Sequence, residues 1–134
     1  MSNGEVKRKI IIVDDDNFLV NMYAQKFGHN EIESVPYKSG TELLEKLRAG
    51  ETADLILLDI VIPGLNGMET LEAIRKEKLA QGVPVVMLTN QSEEKDIQKA
   101  SALGVAGYIV KASATPSEVV EQSIKIINDS KNKS

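Results

Sequence analysis

The chain has no cysteine, which excludes disulfide scaffolds, thiol nucleophiles and thiolate-held zinc or iron–sulfur sites. It has one histidine, His29, so neither a histidine-rich metal site nor a mechanism needing two imidazoles is open to it. It has no basic excess: 16 Lys and Arg face 20 Asp and Glu, for a formal net charge of −4. Phosphate backbones are held by Lys/Arg clusters, so no direct nucleic-acid partner is expected. Long apolar runs are missing too. The polar stretch Met1–Lys9 leads into only four apolar residues, Ile10 to Val13, which is neither a secretion signal nor a membrane span. The expectation is a cytoplasmic protein with no membrane partner. No segment repeats at solenoid or propeller spacing, and no Gly-rich phosphate loop appears, which argues against a nucleotide-binding enzyme.

What is present fits one domain: 134 residues, 42% of them hydrophobic, enough for a sizeable core. Short solid apolar runs alternate with longer helical patterns. The runs are Ile10–Val13, Leu55–Leu58, Val85–Leu88 and a softer Val105–Val110. Consecutive aliphatic residues are the mark of parallel strands covered on both faces. Ile32–Val35 alternates with polar residues and ends at Pro36, which suits an edge strand.

The intervening segments carry helix signals. Phe18, Leu19, Met22, Tyr23 and Phe27 recur at helical spacing before Gly28, and Met22 and Met87 read as core. Ser39 with Glu42 is a capping box, and Gly50 ends the helix that Ser39 opens, while Asn66 with Glu69 opens a helix carrying Leu71 and Ile74. Ser92 is placed to cap a fourth helix, in which only Ile97 and Leu103 are large and apolar. A helix with so few anchors suits a moving element, although a plain polar surface helix reads the same way. Thr115-Pro116-Ser117-Glu118 supplies a cap, a first-position proline and a box acid together. The order is strand–helix five times over, which calls for a parallel sheet with helices on both sides. His29 falls in the polar Gly28-His29-Asn30 turn and reads as a solvated loop residue.

Polar residues then mark the strand ends. Asp14, Asp15 and Asp16 follow the first strand, Asp59 the third, Thr89 the fourth and Lys111 the fifth. In a parallel sheet those ends share one rim, where open α/β sheets bind ligands. Each residue alone has a structural reading: an Asp after a strand is often a helix cap, and Asp16 fits that role. Thr89 fits an ordinary strand position, and Lys111 a solvated charge. The joint occurrence points to a site.

Two carboxylates about 4 Å apart repel by roughly 4 kcal/mol at an effective dielectric of about 20, so a cluster of three calls for a cation. Hard oxygen donors without imidazole or thiolate select Mg²⁺, with Mn²⁺ also possible. A hydrated Mg²⁺ on few carboxylates usually takes a phosphoryl group as a further ligand. Thr89 can donate a hydrogen bond to a phosphoryl oxygen and Lys111 can neutralise another. One carboxylate is left as a nucleophile.

The segments Val13-Asp14-Asp15, Leu57-Leu58-Asp59-Ile60-Val61-Ile62-Pro63-Gly64, Val85-Val86-Met87-Leu88-Thr89 and Gly107-Tyr108-Ile109-Val110-Lys111 together resemble the receiver domain of two-component response regulators, from about Arg8 to Ile127. The resemblance implies an α/β fold: a doubly wound, five-stranded parallel sheet of order 2-1-3-4-5 with five helices, flavodoxin-like. It implies that Asp59 accepts a phosphoryl group from a histidine kinase or a histidine phosphotransfer protein. Asp14 and Asp15 would hold Mg²⁺ together with Asp59 and the main-chain carbonyl of Val61. Thr89 and Tyr108 would be a switch pair, and Lys111 the cation that pairs with Asp59 and then with its phosphate. The output partner is not named, but it would be controlled through the face of the fourth helix, fifth strand and fifth helix. Catalysis would be limited to the protein's own phosphorylation and dephosphorylation.

The boundaries expected are a receiver over residues 8–128 with flexible termini 1–7 and 129–134, either stand-alone or cut from a larger protein. Rival readings fare less well. A haloacid-dehalogenase phosphatase needs an acid/base Asp two residues past its nucleophile, where this chain has Val61. The acidic turn after the first strand would repel the phosphate of a flavodoxin's FMN. A degenerate receiver used only for protein binding would not need the full residue set.

Two positions depart from, or tune, the family pattern. Val61 and Gln91 occupy the positions that flank attacking water, and Val61 cannot orient it, so slow self-dephosphorylation is expected unless Gln91 compensates. Receivers usually follow the active-site lysine with a cis proline; here the dipeptide is Lys111-Ala112. A cis bond before alanine costs roughly 3–4 kcal/mol, against under about 1 before proline, so a trans bond is expected.

Overall fold

A computed structural model describes residues 7–132. The elements are β1 (Arg8–Val13), α1 (Asn17–Gly28), β2 (Ile32–Tyr37), α2 (Gly40–Arg48), β3 (Leu55–Leu58), α3 (Gly67–Lys76), β4 (Val85–Thr89), α4 (Glu94–Ala102), β5 (Gly107–Val110), a single 3₁₀ turn (Lys111–Ser113) and α5 (Pro116–Asn132). All four strand pairings are parallel, in the order β2-β1-β3-β4-β5. The doubly wound α/β architecture expected from the alternating pattern is the one observed.

The solid apolar runs supply two cores at once, because successive strand side chains point to opposite faces. Ile11, Val13, Ile56, Leu58, Val85 and Met87 pack with Leu43 and Leu47 of α2 and Leu71 and Ile74 of α3. The alternate residues Ile10, Ile12, Leu55, Leu57, Val86 and Leu88 pack on the other face, against Val20, Tyr23 and Phe27 of α1 and Val119, Val120 and Ile127 of α5. Burial of each such aliphatic chain contributes about 1.5–3 kcal/mol, so either face alone anchors the sheet firmly.

Register brings the strand ends level. Val13 lies opposite both Tyr37 and Leu58, Leu58 opposite Met87, and Thr89 opposite Val110. The residues just past these positions therefore emerge along one rim.

At Ser39 only half of the expected box forms: Glu42 N–H donates to Ser39 Oγ at 3.1 Å, while Glu42 Oε1 accepts from Lys38 N–H at 3.2 Å. Leu19 N–H donates to Asp16 Oδ1 at 3.1 Å, and the Asn66–Glu69 box closes at 2.8 and 3.0 Å. Thr115 and Glu118 form the same reciprocal pair at 3.1 and 2.8 Å.

Several local expectations change. β2 runs through Pro36 to Tyr37; as the outermost strand, it can leave proline's missing donor on the unpaired side. Phe18 is 73% exposed and Met22 only half-buried, because the buried stripe of α1 is Val20, Tyr23 and Phe27. Ser92 does not cap α4: Glu93 holds the cap position without a side-chain bond, and Asp96 N–H takes the Glu93 carbonyl at 3.0 Å instead. The fifth strand is shorter than the apolar run, starting at Gly107. Asp129–Asn132, expected to lie beyond the domain, continue α5, and Lys131 Nζ sits 2.9 Å from Asp54 Oδ1. The remaining terminal residues, 1–6 and 133–134, fall outside the described range.

Of α4 only Ala100 is buried, with Ile97 and Leu103 half-buried. Its C-terminal end is held from α3, where Arg75 donates to the carbonyls of Leu103 at 2.7 Å and Gly104 at 3.1 Å. No helix among the described residues is long and apolar enough to cross a membrane.

Candidate functional site: an acidic pocket with one lysine

Asp14 leaves β1 with its N–H on the Tyr37 carbonyl at 3.0 Å, and Asp59 leaves β3 with its N–H on the Val13 carbonyl at 3.0 Å. Main-chain bonds thus carry the sheet pattern up to the two carboxylates. Asp14 is 3% exposed and Asp59 6%, while Asp15 faces solvent. Asp14, Asp15 and Asp59 each present an oxygen within 4.8 Å of the others.

The fifth strand brings the counter-charge. Lys111 Nζ lies 2.5 Å from Asp14 Oδ2 and 2.8 Å from Asp59 Oδ2, with its side chain 9% exposed. Burial would push this ammonium down, but the bonds and charges of Asp14 and Asp59 outweigh it and hold it above its ordinary value. Asp14 is raised as well, but for the opposite reason. Burial raises its carboxyl more than Lys111 and the Asp16 N–H lower it. The remaining oxygens have local partners: Asp14 Oδ1 accepts from Asp16 N–H at 2.9 Å, and Asp59 Oδ1 from Val61 N–H at 3.2 Å. No hydrogen bond of ordinary angle reaches Asp14 Oδ2, although the ammonium is beside it.

Two carboxylates with one lysine, and a third carboxylate exposed beside them, leave the pocket with excess negative charge. Three hard oxygens and no imidazole or thiolate fit a hard divalent cation. The cluster is thus able to hold a metal ion.

Thr89 is fully buried, and its Oγ1 accepts from Gln91 N–H at 3.2 Å. Tyr108, half-buried, donates its hydroxyl to the Gln91 carbonyl at 2.6 Å. Both therefore bond the main chain of Gln91, just after β4. Val61 is 57% exposed at the mouth of the pocket. His29 lies away from the rim: it caps the C-terminal end of α1 through its main chain.

Two residues escaped the sequence reading. Gly67 opens α3 directly beneath the β3–α3 loop, with its N–H on the Ile60 carbonyl at 2.8 Å. A Cβ there would stand 2.0 Å from the Asp59 carbonyl oxygen and 2.7 Å from its carbon, so only glycine lets the helix approach. Asn90, next to Thr89, accepts from Ala112 N–H through Oδ1 at 3.0 Å. Its only signal in the sequence is a polar side chain at a strand end.

The Response regulator receiver domain model matches residues 10–123, most of the chain. The chain belongs to that family. Among relatives of this receiver is the alkaline phosphatase synthesis transcriptional regulatory protein PhoP of Bacillus subtilis, 30% identical over 136 residues, spanning 92% of this chain and 55% of that protein. The receiver spans about half the length of the curated relatives it matches. Among solved structures, the phosphorylated cyanobacterial phytochrome response regulator RcpA superposes with a TM-score of 0.80 at 27% identity, covering 96% of this chain and 97% of that one. A CheY-like receiver domain protein from Methanospirillum hungatei shares the fold, with a TM-score of 0.86 at 24% identity over 96% of this chain and 100% of the other. The five parallel strands and the acidic strand ends are thus those of a receiver. No enzyme family is implicated by the match.

The peptide between Lys111 and Ala112 is trans, as is every peptide among the described residues. Lys111 reaches both aspartates without the cis proline that receivers usually carry there.

Proposed function

We propose that this receiver accepts a phosphoryl group on Asp59 from the phosphohistidine of a histidine kinase or a histidine phosphotransfer protein. An Asp59 oxygen attacks phosphorus, the P–O bond forms as the P–N bond breaks, and the departing imidazole is left neutral on protonation. Such transfers leave little covalent work to the protein, so positioning and charge stabilisation dominate. The observation that carries the reading is the Lys111 ammonium set between Asp14 and Asp59. It orients Asp59 before transfer and offsets phosphoryl charge after it. Asp14, Asp15, Asp59 and the Val61 main-chain carbonyl would hold Mg²⁺, which when bound neutralises charge on the phosphoryl oxygens.

Once phosphate is attached, its oxygens attract the Thr89 hydroxyl away from Gln91 N–H. Tyr108, tied to the Gln91 carbonyl, follows the rearranged segment. The α4–β5–α5 face then shifts between two populations and controls a partner or output domain. The single buried side chain of α4 makes it the element that moves at least cost. Cytoplasmic residence, a receiver unit that starts near residue 8 and runs to the end of α5, and an output that does not require this domain to touch nucleic acid belong to the same reading. A purely protein-binding receiver is disfavoured because Asp14, Asp15, Asp59, Thr89 and Lys111 are all in place.

The test is incubation with Mg²⁺ and a small-molecule phosphodonor, followed by intact mass. One added phosphate is expected, labile as an acyl phosphate, and absent from Asp59→Ala. Phosphate on Asp14 or on a serine would overturn the assignment.

A further inference from the structure

We infer that Asn90 is a positioning residue for Lys111, acting through the Ala112 amide in place of the proline usual in receivers. This rests on the phosphoacceptor reading of Asp59. The last rung of the β4–β5 pairing is Thr89 opposite Val110. Beyond it the main chains part: β4 leads into an irregular loop, and β5 into the 3₁₀ turn Lys111–Ser113. The Asn90 side chain restores one more rung, with Oδ1 3.0 Å from Ala112 N.

That bond fixes the peptide plane directly following Lys111. Rotation of this plane swings the Lys111 Cα–Cβ direction, and with it an ammonium held 2.5 and 2.8 Å from two carboxylates. A proline at 112 would restrict the same segment through its ring but would offer no N–H. Ala112 has the N–H, and Asn90 supplies the acceptor. Because Asn90 is bonded covalently to Thr89, the same contact ties the hydroxyl expected to meet the phosphate to the cation expected to neutralise it.

Asn90 is exposed, so Asn90→Ala removes the acceptor without opening the core. The experiment uses the full chain as wild type, Asn90→Ala, Ala112→Pro and the double variant. Phosphate uptake on Asp59 from acetyl phosphate is timed across a Mg²⁺ titration. Amide exchange at Ala112 and the ¹⁵N signal of the Lys111 ammonium are recorded without metal or phosphodonor. In Asn90→Ala, uptake should slow about fivefold, the worth of one hydrogen bond, with the Mg²⁺ half-saturation point unchanged. Ala112 should exchange faster and the Lys111 signal should broaden. In the Ala112→Pro background the same substitution should change uptake by less than about twofold, because the bond is already gone.

An equal slowing in both backgrounds, or wild-type exchange and ammonium signals in Asn90→Ala, would overturn the inference. If Ala112→Pro does not fold, the exchange and ammonium measurements on Asn90→Ala decide alone. Failure of the wild type to take phosphate would count against the phosphoacceptor reading instead, and the metal-free measurements would still decide the role of Asn90.

Discussion

Lys111→Met removes one charge and keeps an unbranched stem of similar length. In the wild type that charge sits 2.5 Å from Asp14 Oδ2 and 2.8 Å from Asp59 Oδ2, and both carboxylates are almost free of solvent. A unit pair about 4 Å apart is worth about 4 kcal/mol at an effective dielectric of about 20. The variant forfeits two such attractions, at shorter range, and leaves two like charges facing each other. Some of this is recovered when water enters or a carboxylate takes up a proton. Deleting one partner of a buried ion pair costs about 3–5 kcal/mol in practice, and that is the loss expected here without divalent cation.

The assay is urea unfolding at neutral pH followed by far-UV circular dichroism, in the presence of a chelator. Repeating it with Mg²⁺ adds a second arm. Ligand at about 100 times its dissociation constant stabilises a folded state by about 2.7 kcal/mol. A cation among Asp14, Asp15 and Asp59 should therefore restore much of the deficit in Lys111→Met. A variant within about 0.5 kcal/mol of wild type in chelator would refute the reasoning, since a surface substitution does no more than that. It would mean that the two aspartates do not depend on the ammonium.

Val61→Asn should shorten the phosphoryl lifetime about fivefold, one hydrogen bond to attacking water, as followed by decay of the phosphorylated mass; an unchanged lifetime counts against the water-orienting role. Gly67→Ala should destabilise the fold by about 3 kcal/mol, the upper end of ordinary overpacking, because its Cβ would meet the Asp59 carbonyl oxygen at 2.0 Å; an unfolding midpoint equal to wild type would show that α3 can retreat freely. Asp54 gives a pH test. Burial raises its carboxyl, but Lys131, the Lys9 N–H at 2.9 Å and the charge of Arg8 together pull it below its ordinary value of 3.8. The unfolded chain therefore binds more protons between the two values, so this stabilisation is complete above the ordinary value and is lost as pH falls through the folded one. Asp54→Asn should flatten the acid limb of stability there and cost about 1 kcal/mol or less at neutral pH, measured as urea midpoints across a pH series.

Periodicity and turn chemistry by themselves determine the architecture. Three solid aliphatic runs and a softer fourth, glycine stops and three capping signals leave little but a parallel sheet wrapped by helices, because each signal depends only on residues a few positions apart. The strand-end positions of Asp14, Asp59, Thr89 and Lys111 were legible for the same reason. Once the sheet is parallel, its carboxyl ends must share a rim. Relations across the chain were a different matter. That Lys111 bridges Asp14 and Asp59 rather than Asp15, that Phe18 turns outward while Val20 turns in, and that α5 continues through Asn132 beside Asp54 all depend on how distant elements dock. Gly67 and Asn90 belong with these. A glycine matters there because another backbone passes 2.0 Å from where a Cβ would stand, and an asparagine because an amide 22 residues later donates to its side chain. Local sequence carries helix, strand and cap, since their energies are set within a turn or two. Only the packed sheet decides which charges, carbonyls and amides meet, since those distances are fixed by the twist and register of strands far apart in the chain.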